Sequence, residues 1–438
     1  MRFFYLYPKI QYMKISSAFL LCLFSFFCNA QNRKECKSSA KAKYEDSLKN
    51  KWKTYSFNPI SKADAIKPVF SYVEIHDLDQ PSQSKDFVDS LDIKVKQVMA
   101  SLKIKTDDFE KEFNIRDSLN EIEARKRIGN ISRPQVIKSE RKGKKWAILY
   151  LDYKYDEMLA FGAGYWISLS EDDGKTWKKY YTGLTGGKNY YFKRNSKPSL
   201  WQDDNHLQIE ADIMRMTEPR AHPIPPQYEV VKDNALIVLN LAEIVKDSDG
   251  DGLTDIEEKN LFLNPFSNDT DGDGISDLDD NNPRFASSSN DFVKLYEGLM
   301  FGENVKSDGK YPEEIMMINL LHPVQTNTNS NHKIDEDPFS DEIENLNTVK
   351  LLVTDDKNLQ SINPKNSRII ILTPKEYKEY QKQYHSELEK LNYSPLFKCD
   401  NDSNVFLMKY SASYAGETYK IERTKTGWKI ITISSWIS

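Results

Sequence analysis

Two acidic bursts constrain this chain more than anything else in it. Between Asp247 and Pro283 it reads DSDGDGLTDIEEKNLFLNPFSNDTDGDGISDLDDNNP. From 247 to 280 there are twelve carboxylates and one lysine, a net charge of −11. Carboxylates crowded this closely repel one another strongly unless something neutralises them. A solvated acidic tail would not need glycines at matching positions. The segment therefore reads as one built to gather cations.

The spacing says how. Asp247, Asp249 and Asp251 fall at positions 1, 3 and 5 of a twelve-residue loop. Gly252 is at 6, Leu253 at 7 with its carbonyl, Asp255 at 9 and Glu258 at 12. Twenty-two residues later the pattern repeats as Asp269, Asp271, Asp273, Gly274, Ile275, Asp277 and Asp280. Calcium takes six to eight oxygen ligands at about 2.3–2.6 Å, which alternate residues of a tight loop can supply. The glycine permits the sharp turn, and the last carboxylate closes the cage. Two Ca2+ ions are expected, held by these residues. Thr254 and Ser276 stand at position 8, where an EF-hand places an aliphatic residue. The run before Asp247 (ALIVLNLAEIVK) reads as a strand rather than an entering helix. The element is therefore not read as an EF-hand.

The stretches DSDGDGLTDIEE, NPFSNDTDGDGISD and DDNNP resemble the thrombospondin type 3 repeat of secreted bacterial proteins. The resemblance covers about 37 residues of 438. It implies calcium binding and rigidification between domains, and it implies no enzyme. Members of that family carry Cys where Asn282 stands, so their repeat-to-repeat disulfide is missing here.

The remaining chain is too long for one core, so several domains are expected. From Met13 the N-terminus reads MKISSAFLLCLFSFFCNAQ. It has a basic start, a short apolar run and a small residue, Ala30, before Gln31, as in a secretory signal. The apolar run is too short to span a bilayer, and no second candidate follows it. The expectation is an exported chain with no transmembrane segment after signal removal, in the periplasm, on the cell surface or secreted. Cys36 and Cys399 would then be the remaining cysteines. An exported chain can pair them, and two free thiols are the alternative. With a net charge of −5, nothing points to nucleic acid as a partner.

Residues 31 to about 60 are polar and lysine-rich and read as a leader or arm. Residues 86–128 read as helical, starting at Thr106–Asp108 for the later part and stopping at Gly129. Aromatic and β-branched residues, with turn residues between, then predict strands at 144–154, 164–171, 176–184, 207–216 and 228–241. Two stretches open alike, SRPQVI at Ser132 and SKPSLW at Ser196, hinting at a repeated β-meander. HPIPPQ (222–227) reads as a stiff linker and ASSSN (286–290) as a loop. Strands are predicted at 347–356 and 367–373. A helix follows, with Thr373 as N-cap, Pro374 at its first position and Glu376 completing a capping box. Its apolar face is Tyr377, Tyr380, Tyr384, Leu388 and Leu391. Closing strands are NVFLMKYSA, ETYKIERT and GWKIITISS.

Ser170–Trp177 (SEDDGKTW) fits S-x-D-x-G-x-T-W and resembles the Asp-box of sialidase-type β-propellers. In that family the box is a structural hairpin turn away from the active site. The arginine triad and Tyr/Glu pair of sialidases cannot be placed on this chain; Arg133-Pro134 is only a faint match to their Arg-Ile-Pro element. No HExxH, GxSxG, P-loop or GxGxxG motif is present, and the six histidines have no zinc-like spacing.

The reading is a multidomain α+β protein. It divides into a signal peptide (1–30), a polar and helical N-terminal region (31–129), and a β-rich meander or partial propeller-like domain (130–246). The calcium-loop linker (247–283) and a small α+β C-terminal domain (284–438) follow. The function expected is calcium binding in a structural or interaction role, toward an extracellular or cell-surface protein or glycan. Catalytic residues are not identified, and the balance is against an enzyme. A glycan-binding or glycan-hydrolysing propeller protein is the alternative.

Overall fold

The computed structural model describes residues 36–43, 59–82, 87–105, 109–152, 164–185, 190–218, 227–301, 349–365, 368–384, 392–411, 415–425 and 427–437. The expected signal peptide and residues 222–226 of the stiff linker lie outside them. The architecture is mixed α+β, with strands gathered into separate sheets.

The first ten strands are β1 (Val73–Asp77), β2 (Arg127–Ile128), β3 (Ile131–Ser132), β4 (Val136–Lys142), β5 (Lys145–Leu151), β6 (Gly164–Ser170), β7 (Lys178–Thr185), β8 (Tyr190–Phe192), β9 (His206–Glu218) and β10 (Gln227–Asn240). Strands β4-β5-β6-β7 form an antiparallel meander. The order β1-β10-β9-β8 makes a second antiparallel sheet. The two share one hydrophobic core, in which Ile148, Leu149 and Ile167 of the first meet Leu207, Ile209 and Ile237 of the second. The Tyr165 hydroxyl crosses between them, donating to Tyr190 O at 3.3 Å and accepting from Phe192 N at 3.1 Å.

The two stretches that open alike are cross-braced. Arg194 donates to the carbonyls of Pro134 (2.6 Å) and Val136. Lys138 donates to those of Ser196 (2.7 Å) and Pro198. A cation beside each stretch thus satisfies main-chain carbonyls of the other. Strand β1 comes from the stretch read as polar and helical, and it pairs Val73 with Leu239 across β10. Pairing this distant in sequence leaves no local trace.

Helices α1 (Lys62–Ala65), α2 (Phe87–Ser101) and α3 (Phe109–Arg125) precede the meander. The long helical stretch breaks into a hairpin at Lys103, whose φ is +57°. Val95 and Met99 of α2 pack there with Ile115 and Leu119 of α3. The cap expected at Thr106–Asp108 lies outside the described residues. Gly129 turns β2 into β3 at φ +58°, and a Cβ there would stand 2.6 Å from the Trp177 ring. That indole belongs to the 170–177 turn. In it Asp172 accepts from Thr176 N at 2.8 Å, Ser170 Oγ from Gly174 N at 2.8 Å, and Trp177 Nε1 donates to Gly174 O at 3.0 Å.

After β10 come α4 (Leu241–Ile244), α5 (Asp255–Leu261) and α6 (Asp291–Phe301). The rest comprises β11 (Val349–Val353), α7 (Lys357–Gln360), β12 (Arg368–Leu372), α8 (Pro374–Tyr384), β13 (Asn392–Tyr393), β14 (Phe397–Cys399), β15 (Asp402–Ser411), β16 (Ala415–Thr424) and β17 (Gly427–Ile437). Strands β11 and β12 pair in parallel. β13-β15-β16-β17 is antiparallel, with β14 also on β15. Helix α6 was not read from sequence. It buries Val293, Tyr296 and Leu299 in a core with Met408, Ile421 and Trp428. The capping box of α8 is present: Thr373 N and Oγ1 donate to Glu376 at 2.8 and 2.9 Å. Of its expected apolar face Tyr377 is buried; the side chains of Tyr380, Tyr384, Leu388 and Leu391 lie outside the described residues.

Candidate metal centre

Loop chemistry builds two near-copies of one backbone. In the first, Asp247 accepts from Gly250 N at 2.7 Å and Gly252 N at 3.1 Å. Asp249 accepts from Asp251 N (3.2 Å), and Asp251 from Leu253 N (2.7 Å). In the second, Asp269 accepts from Gly272 N at 2.7 Å and Gly274 N at 2.9 Å. Asp271 and Asp273 each accept at 3.0 Å, from Asp273 N and Ile275 N. Gly252 and Gly274 lie at φ +105° and +94°, conformations that side chains disfavour. Main-chain N–H groups of the same loop thus hold both oxygens of Asp247 and Asp269 and one oxygen each of Asp249, Asp251, Asp271 and Asp273, and the carboxylates converge. Asp247, Asp249 and Asp251 bring ligand oxygens within 4.8 Å of one another, as do Asp269, Asp271 and Asp273. Either triplet could hold a metal ion.

The position-9 carboxylates do something more local. Asp255 accepts from Ser248 N at 2.8 Å and Ser248 Oγ at 2.9 Å, with Lys246 Nζ 3.1 Å away. Asp277 accepts from Thr270 N at 2.9 Å and Oγ1 at 2.6 Å. Each clasps the residue after its loop's first aspartate and so closes the loop. At position 7, Leu253 turns its side chain into an apolar cluster with Leu261, Leu263, Ile370 and Leu372, whereas Ile275 is exposed.

At position 12 the loops differ. Glu258 stands on α5 and is 0 % exposed, and among the described residues neither of its carboxylate oxygens has a hydrogen-bond partner. One oxygen each of Asp249 and Asp271 is buried and unpartnered in the same way. Asp280, one methylene shorter, is also buried and accepts from Asn282 N at 2.9 Å. Burial, then the charges of Asp249, Asp251, Asp277 and Asp255, push Glu258 up to about 9. Burial first, with neighbouring aspartates adding to it, pushes Asp251 and Asp271 up to about 6. Carboxylates arranged so that each opposes its neighbours' ionisation suit a divalent cation, which would reverse the sign of the local field.

Two participants escaped the sequence reading. Arg368, on β12, is buried beside the element and donates to Leu278 O at 3.2 Å. Asp277, Asp280, Asp251 and Glu257 surround its guanidinium. Asn282 fills the place of the expected cysteine with hydrogen bonds. Its amide donates to Phe285 O at 3.0 Å and to Gln360 O and Ile362 O at 2.8 Å each. The mismatch to the repeat pattern was the one signal that marked Asn282. Nothing marked Arg368, about 90 residues away in sequence. Arg284 adds a further tie, donating to Ile371 O at 2.6 Å and Glu376 at 2.8 Å.

Among the described residues no helix is long and apolar enough to cross a membrane. No protein-family model, no curated protein and no solved structure matches the chain.

Proposed function

We propose that the two loops bind one Ca2+ ion each, in an exported protein, and that the ions hold the flanking units in a fixed relation. The single observation that carries the reading is Glu258: a fully buried carboxylate without a partner, set among further carboxylates at the closing position of a loop. An unpaired buried charge costs several kcal/mol, which a bound cation would offset. Calcium suits the all-oxygen donor set, whereas Mg2+ demands tighter octahedral geometry and keeps several waters.

The position of α5 supports the structural half of the proposal. Ile256 packs into the core of the β-rich unit. Leu253, Leu261 and Leu263 pack with Ile370 and Leu372 of β12. One short helix therefore spans two cores, and its own fixation depends on the loops at its ends. The Cys36–Cys399 bond supports export, because such bonds persist in oxidising compartments. The role assigned is presentation of the flanking units to an extracellular or cell-surface protein or glycan.

Calorimetric titration of the chelator-stripped full-length chain with CaCl2 tests the reading. Two ions per chain are expected, with Asp249→Ala and Asp271→Ala each removing one. The absence of binding heat in the unmodified chain, together with no calcium-induced rise in Tm, would overturn it.

A further inference from the structure

The Cys36–Cys399 bond joins the first described residue to the end of β14, with the Cα atoms 5.5 Å apart. That separation is ordinary for a disulfide. The contact extends beyond the sulfurs. Ser39 donates its N–H (2.9 Å) and hydroxyl (3.2 Å) to the Asp400 carboxylate, and Asp400 N donates to Lys37 O at 2.8 Å. Cys399 is buried with Phe397 and Leu407. Residues 36–43 thus lie on the turn between β14 and β15 of the C-terminal unit. A little further along the same chain, Val73 is built into the β-rich unit through its pairing with Leu239. The chain therefore connects the units twice: once through the acidic element, and once through the segment from Cys36 to β1.

We propose that residues 36–43 are a covalent strap, and that the Cys36–Cys399 bond is a metal-independent lock on the C-terminal unit. This rests on the calcium reading above, which makes the acidic element the other lock. Fifteen residues, 44–58, separate the strap from the next described residue. Fully extended they reach at most about 50 Å. An intact bond therefore caps how far the C-terminal unit can travel from the β-rich unit when cations are withdrawn. The acidic element already makes re-docking intramolecular, and the second connection through the disulfide raises the effective concentration of the docking surfaces further. A dithiol reductant opens the lock in two exchanges. Its thiolate attacks one sulfur and expels the other cysteine as thiolate. Its second thiol then displaces the remaining cysteine, leaving two protein thiols and one cyclic disulfide of the reagent.

The test measures the radius of gyration of the full-length chain by small-angle scattering. Calcium and EDTA conditions are each combined with the bond intact, reduced with dithiothreitol, or absent in Cys36→Ser. Cys36 is only half-buried, so this substitution is the milder of the two available, and reduction of the unmodified chain controls for misfolding. Expansion of about 1.2-fold or more is expected only where EDTA and loss of the bond coincide. Full expansion in EDTA with the bond intact overturns the strap, as does no expansion with both removed. Calorimetry on the same samples separates this from the calcium reading. If calcium gives no heat, that reading fails and the strap is decided by reduction alone: expansion supports it, and an unchanged radius overturns it.

Discussion

The main-chain N–H of Leu278, in the second acidic loop, donates to Asp251 Oδ2, in the first, at 3.2 Å. Asp277 beside it adds its charge to the field around Asp251 and Glu258. The carboxylate proposed as a ligand of one loop is therefore a strut of the other. Asp251→Ala is expected to abolish binding at the first loop and to weaken the second about tenfold, a coupling of about 1.4 kcal/mol. Asp247→Ala, at the exposed edge, should leave the second loop within about twofold. Calorimetric titration of both variants with calcium checks the contrast.

Glu258→Gln should separate stability from metal binding. The amide keeps the shape of the side chain and removes a carboxyl that, pushed up to about 9 by burial and neighbouring aspartates, must take up a proton to be buried there without a cation. In EDTA the variant is expected to melt about 4 °C higher, for roughly 2 kcal/mol. In calcium the order reverses, because the unmodified chain gains the ligand's contribution, about 2.7 kcal/mol at a hundredfold excess over Kd. Scanning calorimetry in both buffers reads the crossing. A variant that melts lower than the unmodified chain in EDTA would contradict it.

Asn282→Ala removes an amide whose two N–H bonds serve three carbonyls and leaves those of Gln360 and Ile362 without that donor. The cost should be about 2–3 kcal/mol. It is read from a lower urea midpoint with an unchanged slope. Asn282→Asp should be at least as harmful, since a carboxylate cannot donate to those carbonyls.

Acid should loosen the seam between the acidic element and α8. Burial alone would raise Glu376, but hydrogen bonds from Arg284 and Thr373 outweigh it and hold the carboxyl at about 2, below its ordinary 4.5. A depressed carboxylate contributes its stability above the unfolded value and loses it as pH falls toward the folded one. The Tm difference between the unmodified chain and Glu376→Gln should therefore be full at about pH 6 and shrink steadily between 4.5 and 2. Thermal melts by circular dichroism across that range check it. A difference that stays constant with pH would show that the ion pair is not its source.

What the chain's sequence settles by itself is everything governed by near neighbours. The Thr373/Glu376 capping box forms because its partners are three residues apart, and the strands at 164–170 and 206–218 follow their own runs of aromatic and β-branched residues. The two aspartate triplets converge because glycines and main-chain N–H groups within the same few residues place them. Tertiary structure decided the rest. It paired β1 with β10, brought Arg368 under the acidic element, left Glu258 buried without a partner and set Cys36 against Cys399. Those outcomes depend on which apolar faces are buried together. Ile256 goes to one core and Leu261 to another, although only five positions separate them on α5. Short-range chemistry can shape a loop, but only the packing of distant surfaces determines which carboxylates are cut off from water, and that exclusion is the ground of the calcium proposal.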